Sequence, residues 1–341
     1  MLKISKIGLY SSLVALLLTL STCRQTPPAP LTPAFYYWQT SLSLTSDQCA
    51  YLEQTACRKL YVKVLDIGLD PANGNIIPYT RLQIPQPATL PGLEYIPVVF
   101  ITNETLKGIS SSEIRNLAEK MAASQAVLPG TPHEFQVDCD WTPSTRTAFF
   151  ELLGVLRGYL AAKTSLSATI RLHQYKFPEK TGVPPVDRGM LMCYNTGDID
   201  SPQESNSIFS PDDAEKYIKG APKHYPIPLD LALPAFGWTL VYRNEELWKI
   251  IPFVSDSLPS GELNKGTFQA GHYLRPGDVL RQEFISPELL QTATRLVAKT
   301  DLADDATLAF FHLDQSTPRN YPASLIRSVC QLADSIRTLP R

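Results

Sequence analysis

Asp138 and Asp140 stand two apart in the segment EFQVDCDWT (134–142), where apolar and polar residues alternate strictly. In a strand, that alternation sends Phe135, Val137, Cys139 and Trp141 to one face and Glu134, Gln136, Asp138, Asp140 and Thr142 to the other. Neighbouring carboxylates repel, and the repulsion pushes one of them towards protonation, which suits the pair to general acid–base chemistry. The same parity turns Lys63 inward in KLYVKVLDI (59–67), and Thr169, Arg171, His173 and Tyr175 inward in LSATIRLHQY (166–175). It also turns Phe310, His312 and Asp314 inward in TLAFFHLDQ (307–315). Lone buried charges are costly, so Lys63, Asp138, Asp140 and Arg171 must pair with one another or line a wet cavity. Lys63 and Asp138, deeper along their strands, are expected in a structural ion-pair network. Asp140 and His173, at strand ends, are expected in a functional site, with Asp138 supporting Asp140.

Groups so placed need strands whose ends converge. Eight short apolar, β-branched or aromatic runs recur, at 35–44, 59–67, 95–102, 134–142, 166–175, 188–196, 230–238 and 307–315. Helical segments interleave, most clearly at 111–125, 143–163, 211–219, 287–299 and 322–339. Several carry start signals: Ser110 or Ser111 before Glu113, Ser210-Pro211 before Asp212 and Asp213, and Ser286-Pro287-Glu288. This alternation predicts an α/β fold, a (β/α)8 TIM-type barrel rather than an open doubly wound sheet. Residues 241–282 form a long mixed stretch between the seventh and eighth strands, expected as an inserted subdomain or lid. In such barrels the chemistry sits at the C-terminal strand ends, where Asp140, His173, Tyr194, Asp314 and Asp66 gather.

The 341 residues are 44% hydrophobic and 19% charged, enough apolar chain for one large core. Lys and Arg number 31 against 33 Asp and Glu, so there is no basic surplus to bind nucleic acid. No G-x-G-x-x-G or G-x-x-x-x-G-K-[ST] follows a strand, and no G-x-S-x-G elbow occurs. No Cys/His cluster has zinc-ligand spacing, so neither a cofactor nor a metal is expected. A metal held by His173 and His312 with Asp140 or Asp314 is the metal-dependent alternative. Cys139 and Cys193 fall in apolar strand patterns and read as small buried hydrophobes.

The N-terminal stretch MLKISKIGLYSSLVALLLTLSTC joins a basic start, Lys3 and Lys6, to an apolar run at 13–20 that is too short to span a bilayer. Leu20-Ser21-Thr22-Cys23 resembles a bacterial lipobox, with 1–22 as signal peptide and Cys23 as the lipidated residue; plain secretion is the alternative. A Pro-rich tether over 23–34 then leads into a barrel domain over 35–341. These features predict a monomer held by a lipid at the bacterial cell envelope, on the periplasmic or outer-membrane face.

Three segments, VDCDWT, GMLMCYN and LALPAFGW, lie in order within 134–238. They resemble the fourth, sixth and seventh strand motifs of family-eighteen glycoside hydrolases, the chitinase-like barrels. The resemblance implies action on a glycan, with Asp138 and Asp140 matching the second and third acids of the family motif and Tyr194 its sixth-strand tyrosine. In that mechanism the substrate's own acetamido oxygen attacks the anomeric carbon. The aspartate matching Asp140 orients the acetamido group, and a glutamate protonates the leaving oxygen. Here the first acid of the motif falls at Phe135 and that glutamate at Thr142, whose hydroxyl is far too weak an acid. Either another acid replaces it (Asp140 itself, Asp198, Glu104 or Asp314), or the barrel binds a carbohydrate or envelope component without cutting it. Trp38, Tyr194 and Trp238 are candidate surfaces for sugar rings, and Arg171 a candidate polar contact. The expected function is glycoside-hydrolase-like action on a glycan, with Asp140, Asp138 and His173 as catalytic candidates, and non-catalytic binding as the alternative.

Overall fold

The computed structural model describes residues 28–85, 90–201, 203–253 and 260–338; the expected signal peptide and Cys23 lie outside the described residues. Eight strands form where the apolar runs predict them. They are β1 (Thr32–Tyr37), β2 (Lys59–Leu69), β4 (Glu94–Ile101), β5 (Glu134–Asp138), β6 (Ser165–Arg171), β7 (Arg188–Met192), β8 (Leu229–Pro234) and β15 (Thr307–Phe311), with β3 (Ile76–Arg81) and six further strands between them. All eight are parallel, and the barrel closes because β1 pairs with both β2 and β15. The five predicted helices are present, among them α2 (Ser111–Ser124), α3 (Arg146–Arg157) and α9 (Ala323–Arg337), counted after α1 (Ser46–Gln54). Helix α2 shows why the local sequence suffices. Ser110 Oγ accepts from the Glu113 N–H and Glu113 Oε2 accepts from the Ser110 N–H, while Ile114, Leu117, Ala118, Met121 and Ala122 bury one stripe against the barrel.

Four departures from the sequence expectation matter. β1 starts at Thr32, inside the expected tether; Pro33 keeps its place in the ladder because its carbonyl still accepts from the Arg58 N–H. The β2–β4 connection is the antiparallel strand β3 instead of a helix. A cavity of about 670 Å³ lies there, outside the barrel, between the β2–β3 hairpin and α2. A bulge at Val64 places Lys63 and Asp66 on the same inner face, although plain alternation would separate them. In β15 the parity is reversed. Phe310 packs outward on Phe35, 5.4 Å between ring centroids, and Phe311 points inward against Tyr36 at 5.7 Å. Leu308 to Phe311 are all apolar, so the phase rested on His312 and Asp314, which follow the strand's end and do not inherit its alternation. Thr307, the polar residue of the strand, faces inward to Tyr61 and marks the true phase.

The insertion is an antiparallel sheet of β9 (Gly237–Arg243), β10 (Glu246–Pro252), β11 (Gly261–Glu262) and β14 (Val279–Phe284), with a β12–β13 hairpin (Thr267–Gln269, His272–Leu274). It has its own small core of Val241, Ile251, Leu274 and Leu280.

Polar side chains fill the lower barrel, each with a partner. Tyr36 Oη donates to Gln136 Oε1 at 2.6 Å, Gln136 Nε2 to Ser167 Oγ at 3.3 Å, and Ser167 Oγ to Glu134 Oε1 at 2.6 Å. Lys59 and Tyr61 complete the shell of Glu134 at 3.3 and 3.2 Å. Beside this column Arg188 grips the buried Asp230 with two hydrogen bonds of 2.9 and 2.7 Å. These two pairs are structural ion pairs of the interior; Lys63 forms a third with Asp66, as expected, whereas Asp138 accepts from Thr169 and pairs with no cation directly. Asp230→Ala strands the Arg188 guanidinium and is expected to lower stability by about 3 kcal/mol in urea unfolding, the low end of the usual range for a broken buried pair. It sits there because Asp305 still accepts from Arg188 Nη1 at 2.9 Å.

Candidate functional site at the barrel mouth

The C-terminal strand ends divide into a polar arc and an aromatic arc. The polar arc runs over β2, β5 and β6. Lys63 Nζ donates to Asp66 Oδ2 at 2.7 Å and lies 5.1 Å from the centre of the Trp38 ring. Asp138 ends β5, buried, with Oδ1 accepting from Thr169 Oγ1 at 2.7 Å. Burial first, then the Asp140 carboxylate, raise its pKa to about 6, while Arg171 and Thr169 pull it down. Asp140 is exposed and held by the Arg171 guanidinium, whose Nη2 donates to Oδ2 at 2.6 Å and whose Nε donates to Oδ1.

The aromatic arc closes the circle through β7, β8, β15 and β1. Phe311 packs on Tyr194, Phe236 and Trp38 with centroid distances of 5.2, 5.5 and 5.5 Å, and Phe236 meets Trp238 edge-on at 5.3 Å. Trp38 and Trp238 are half-buried at the rim. The Tyr194 hydroxyl is buried and has no hydrogen-bond partner among the described residues. Burial raises its pKa, partly offset by Arg171, so it remains a neutral donor.

The mouth therefore gathers Asp138, Asp140, Arg171, Tyr194, Trp38 and Trp238. Asp66 joins them through Lys63, His173 and His312 lie at the edge of the mouth, and the remaining candidates lie elsewhere. His173 lies on α4 (Leu172–Lys176), because β6 ends at Arg171 and Gln174 caps the turn by accepting from the Arg171 N–H at 2.8 Å. Its imidazole is exposed beside the Asp140–Arg171 pair instead of facing into the barrel. Tyr175, on the same helix, packs outward on Tyr225 at 5.6 Å. Asp314 is a turn residue whose Oδ1 accepts from the Ser316 and Thr317 N–H groups. Glu104 is exposed and paired with Lys107, and Asp198 accepts from the Asp200 N–H in an exposed loop. His312 is half-buried beside Phe311 and Phe236, and burial lowers its pKa. No group of three or more metal-ligating side chains occurs among the described residues, so His173 and His312 lack a shared ligand set. Thr142 starts the turn into α3: its carbonyl accepts from the Arg146 N–H and its hydroxyl meets Ser144 Oγ at 2.8 Å.

The alternation of the sequence missed Phe311 and Phe236, and left Lys63 and Asp66 unconnected. The bulge brings Lys63 and Asp66 to the mouth, the phase of β15 brings Phe311, and the turn after β8 brings Phe236.

The fold is a (β/α)8 barrel with an inserted antiparallel sheet, and in architecture it is similar to chitinase barrels. No family model matches the chain, and no curated protein matches it in sequence. Among solved structures, the chitinase of Rhizomucor miehei superposes with a TM-score of 0.53 at 13% identity, covering 87% of this chain and 99% of that one. The chitinase of Chromobacterium violaceum gives 0.53 at 13% identity over 89% of this chain and 99% of its own. The Bacillus cereus spore cortex-lytic enzyme gives 0.51 at 13% identity over 88% of this chain and 75% of its own. At this identity the likeness is one of architecture, and it agrees with the barrel that the three strand motifs imply.

Asp138 supplies a pH test. Its folded pKa of about 6 lies above the unfolded carboxyl value. The unfolded chain therefore releases this proton first, from about pH 4 upward. The contribution of Asp138 to stability is thus full below that pH and lost as pH rises through its folded pKa. Denaturation curves from pH 4 to 7 should show Asp138→Asn gaining on the wild type as pH rises, by on the order of 2 kcal/mol.

Proposed function

We propose that the barrel mouth binds a glycan without cleaving it by the acid–base route of the family-eighteen enzymes. One observation carries this reading: each carboxylate at the mouth among the described residues has at least one oxygen already engaged, Asp66 by Lys63, Asp140 by Arg171 and Asp138 by Thr169. The one buried oxygen without a partner, Asp66 Oδ1, belongs to a carboxylate neutralised by Lys63. Thr142 occupies the position of the missing acid and is bonded into a helix start. The two arcs suit the two surfaces of a sugar ring. Its C–H faces pack on indole and phenyl rings, and its hydroxyl or amide groups bond to a carboxylate–guanidinium pair and a phenol. Tyr194, whose hydroxyl lacks a protein partner, is the donor this reading assigns to the ligand.

A second reading has one specific support. Asp138, with its pKa near 6, is the carboxyl of the mouth best suited to hold a proton at neutral pH and deliver it to a glycosidic oxygen. Chitin, N-glycan and peptidoglycan fragments incubated with the protein and followed by mass spectrometry separate the two. Binding without cleavage predicts intact fragments retained by the wild type, with retention falling at least about tenfold, or 1.4 kcal/mol, in Asp140→Asn and Trp238→Ala. Cleavage that disappears in Asp138→Asn would replace the binding reading with hydrolysis.

The same proposal keeps the barrel at the cell envelope through a lipid on Cys23, supported by the lipobox-like run in the sequence. Cys23→Ala is expected to abolish metabolic labelling with palmitate and to shift the protein from the membrane to the soluble fraction.

A further inference from the structure

Glu283, on β14, is buried where the insertion sheet meets the barrel. Its Oε2 accepts three hydrogen bonds: from the Trp238 indole Nε1 at 2.7 Å, from Ser207 Oγ at 2.7 Å and from the Ile208 N–H at 3.2 Å. Its Oε1 lies 2.7 Å from Arg281 Nε. Arg281 donates in turn to the carbonyls of Ser201 and, at 3.4 Å, Ile199, and Tyr242 Oη donates to the same Ile199 carbonyl at 2.6 Å. These carbonyls belong to the loop that leaves the mouth directly after Tyr194. The loop closes on itself at its base, where the Asn195 N–H donates to Ile208 O at 2.6 Å.

We propose that Glu283 is a positioning residue of the mouth, fixing the Trp238 indole and the base of the loop behind Tyr194 with a single carboxylate. Three contact points on one oxygen, one of them an aromatic N–H at the rim, exceed what docking the insertion sheet requires. Charge-assisted hydrogen bonds of this kind are roughly twice as strong as neutral ones. A buried carboxylate facing a buried guanidinium also has no alternative partner to move to. The indole N–H has this one acceptor among the described residues, so the orientation of the ring at the rim follows Glu283. The inference rests on the glycan reading for its ligand but not for its geometry.

The test uses the full chain labelled with ¹⁵N, with the Trp238 Nε1–H resonance assigned by its loss in Trp238→Phe. Glu283→Ala is expected to move that resonance upfield and to speed exchange of the Ile208 amide at least tenfold. Glu283→Gln, which keeps an acceptor oxygen, should give an intermediate resonance and slower exchange. Retention of the chitin, N-glycan or peptidoglycan fragment held by the wild type should fall tenfold in Glu283→Ala and recover in part in Glu283→Gln. An indole resonance unchanged in both variants overturns the proposal, as does retention that stays constant while the indole moves. If Glu283→Ala does not fold, Glu283→Gln decides alone, and a resonance identical to the wild type overturns it. If the wild type retains no fragment, the glycan reading fails, and the indole and amide signals still decide whether Glu283 positions Trp238.

Discussion

A closed barrel of eight strands turns half of each strand's side chains into a space without bulk water, so any charge placed there must bring its own partner. The rest of this molecule follows from that constraint. At the lower end it is met by pairs whose carboxylates are buried, Glu134 with Lys59 and Asp230 with Arg188, joined to a hydrogen-bonded column that ends at Tyr36. At the upper end it is met by Lys63 with Asp66, largely buried, and by Arg171 with Asp140, whose carboxylate is exposed. Of these four pairs only Arg171 with Asp140 exposes its carboxylate, and so can exchange a hydrogen bond with something that arrives.

The mouth is asymmetric because its two halves solve the constraint differently. The strands from β2 to β6 pair their charges. Those from β7 round to β1 carry rings in place of charges, with Phe311 at the centre of contacts to Tyr36, Trp38, Tyr194 and Phe236. The insertion sheet extends the aromatic half, since β9 begins two residues after β8 ends. Its attachment through Glu283 makes the rim on that side one unit with the loop behind Tyr194.

The strand count was legible because each barrel strand is a short apolar or β-branched run bounded by turn residues. The inward set of β5 was legible because EFQVDCDWT alternates without error. Alternation fails as a guide where a strand stops or slips. It assigned His173 to the interior because nothing in LSATIRLHQY marks the switch to a helix at Leu172. It separated Lys63 from Asp66 because a bulge leaves no compositional trace. It gave β15 the wrong phase because four of its five residues are apolar and the one polar mark, Thr307, was outweighed by His312 and Asp314 beyond the strand's end. The side chains that complete the aromatic wall, Phe236 and Phe311, resemble ordinary core residues in sequence, and only the geometry of the mouth distinguishes them.

All eight barrel strands run the same way, so the chain enters β1 at the face opposite the mouth. The residues just before β1 are fastened there: the Leu31 N–H donates to Asp334 Oδ1 at 2.9 Å, and the Ala29 carbonyl accepts from Arg337 Nη1 at 3.1 Å, both on α9. Ala29 and Leu31 therefore lie at the floor of the barrel, on the side away from its opening. A leash fixed to a surface through that end would present the mouth outward, like a cup standing on its base, open to material arriving from the far side.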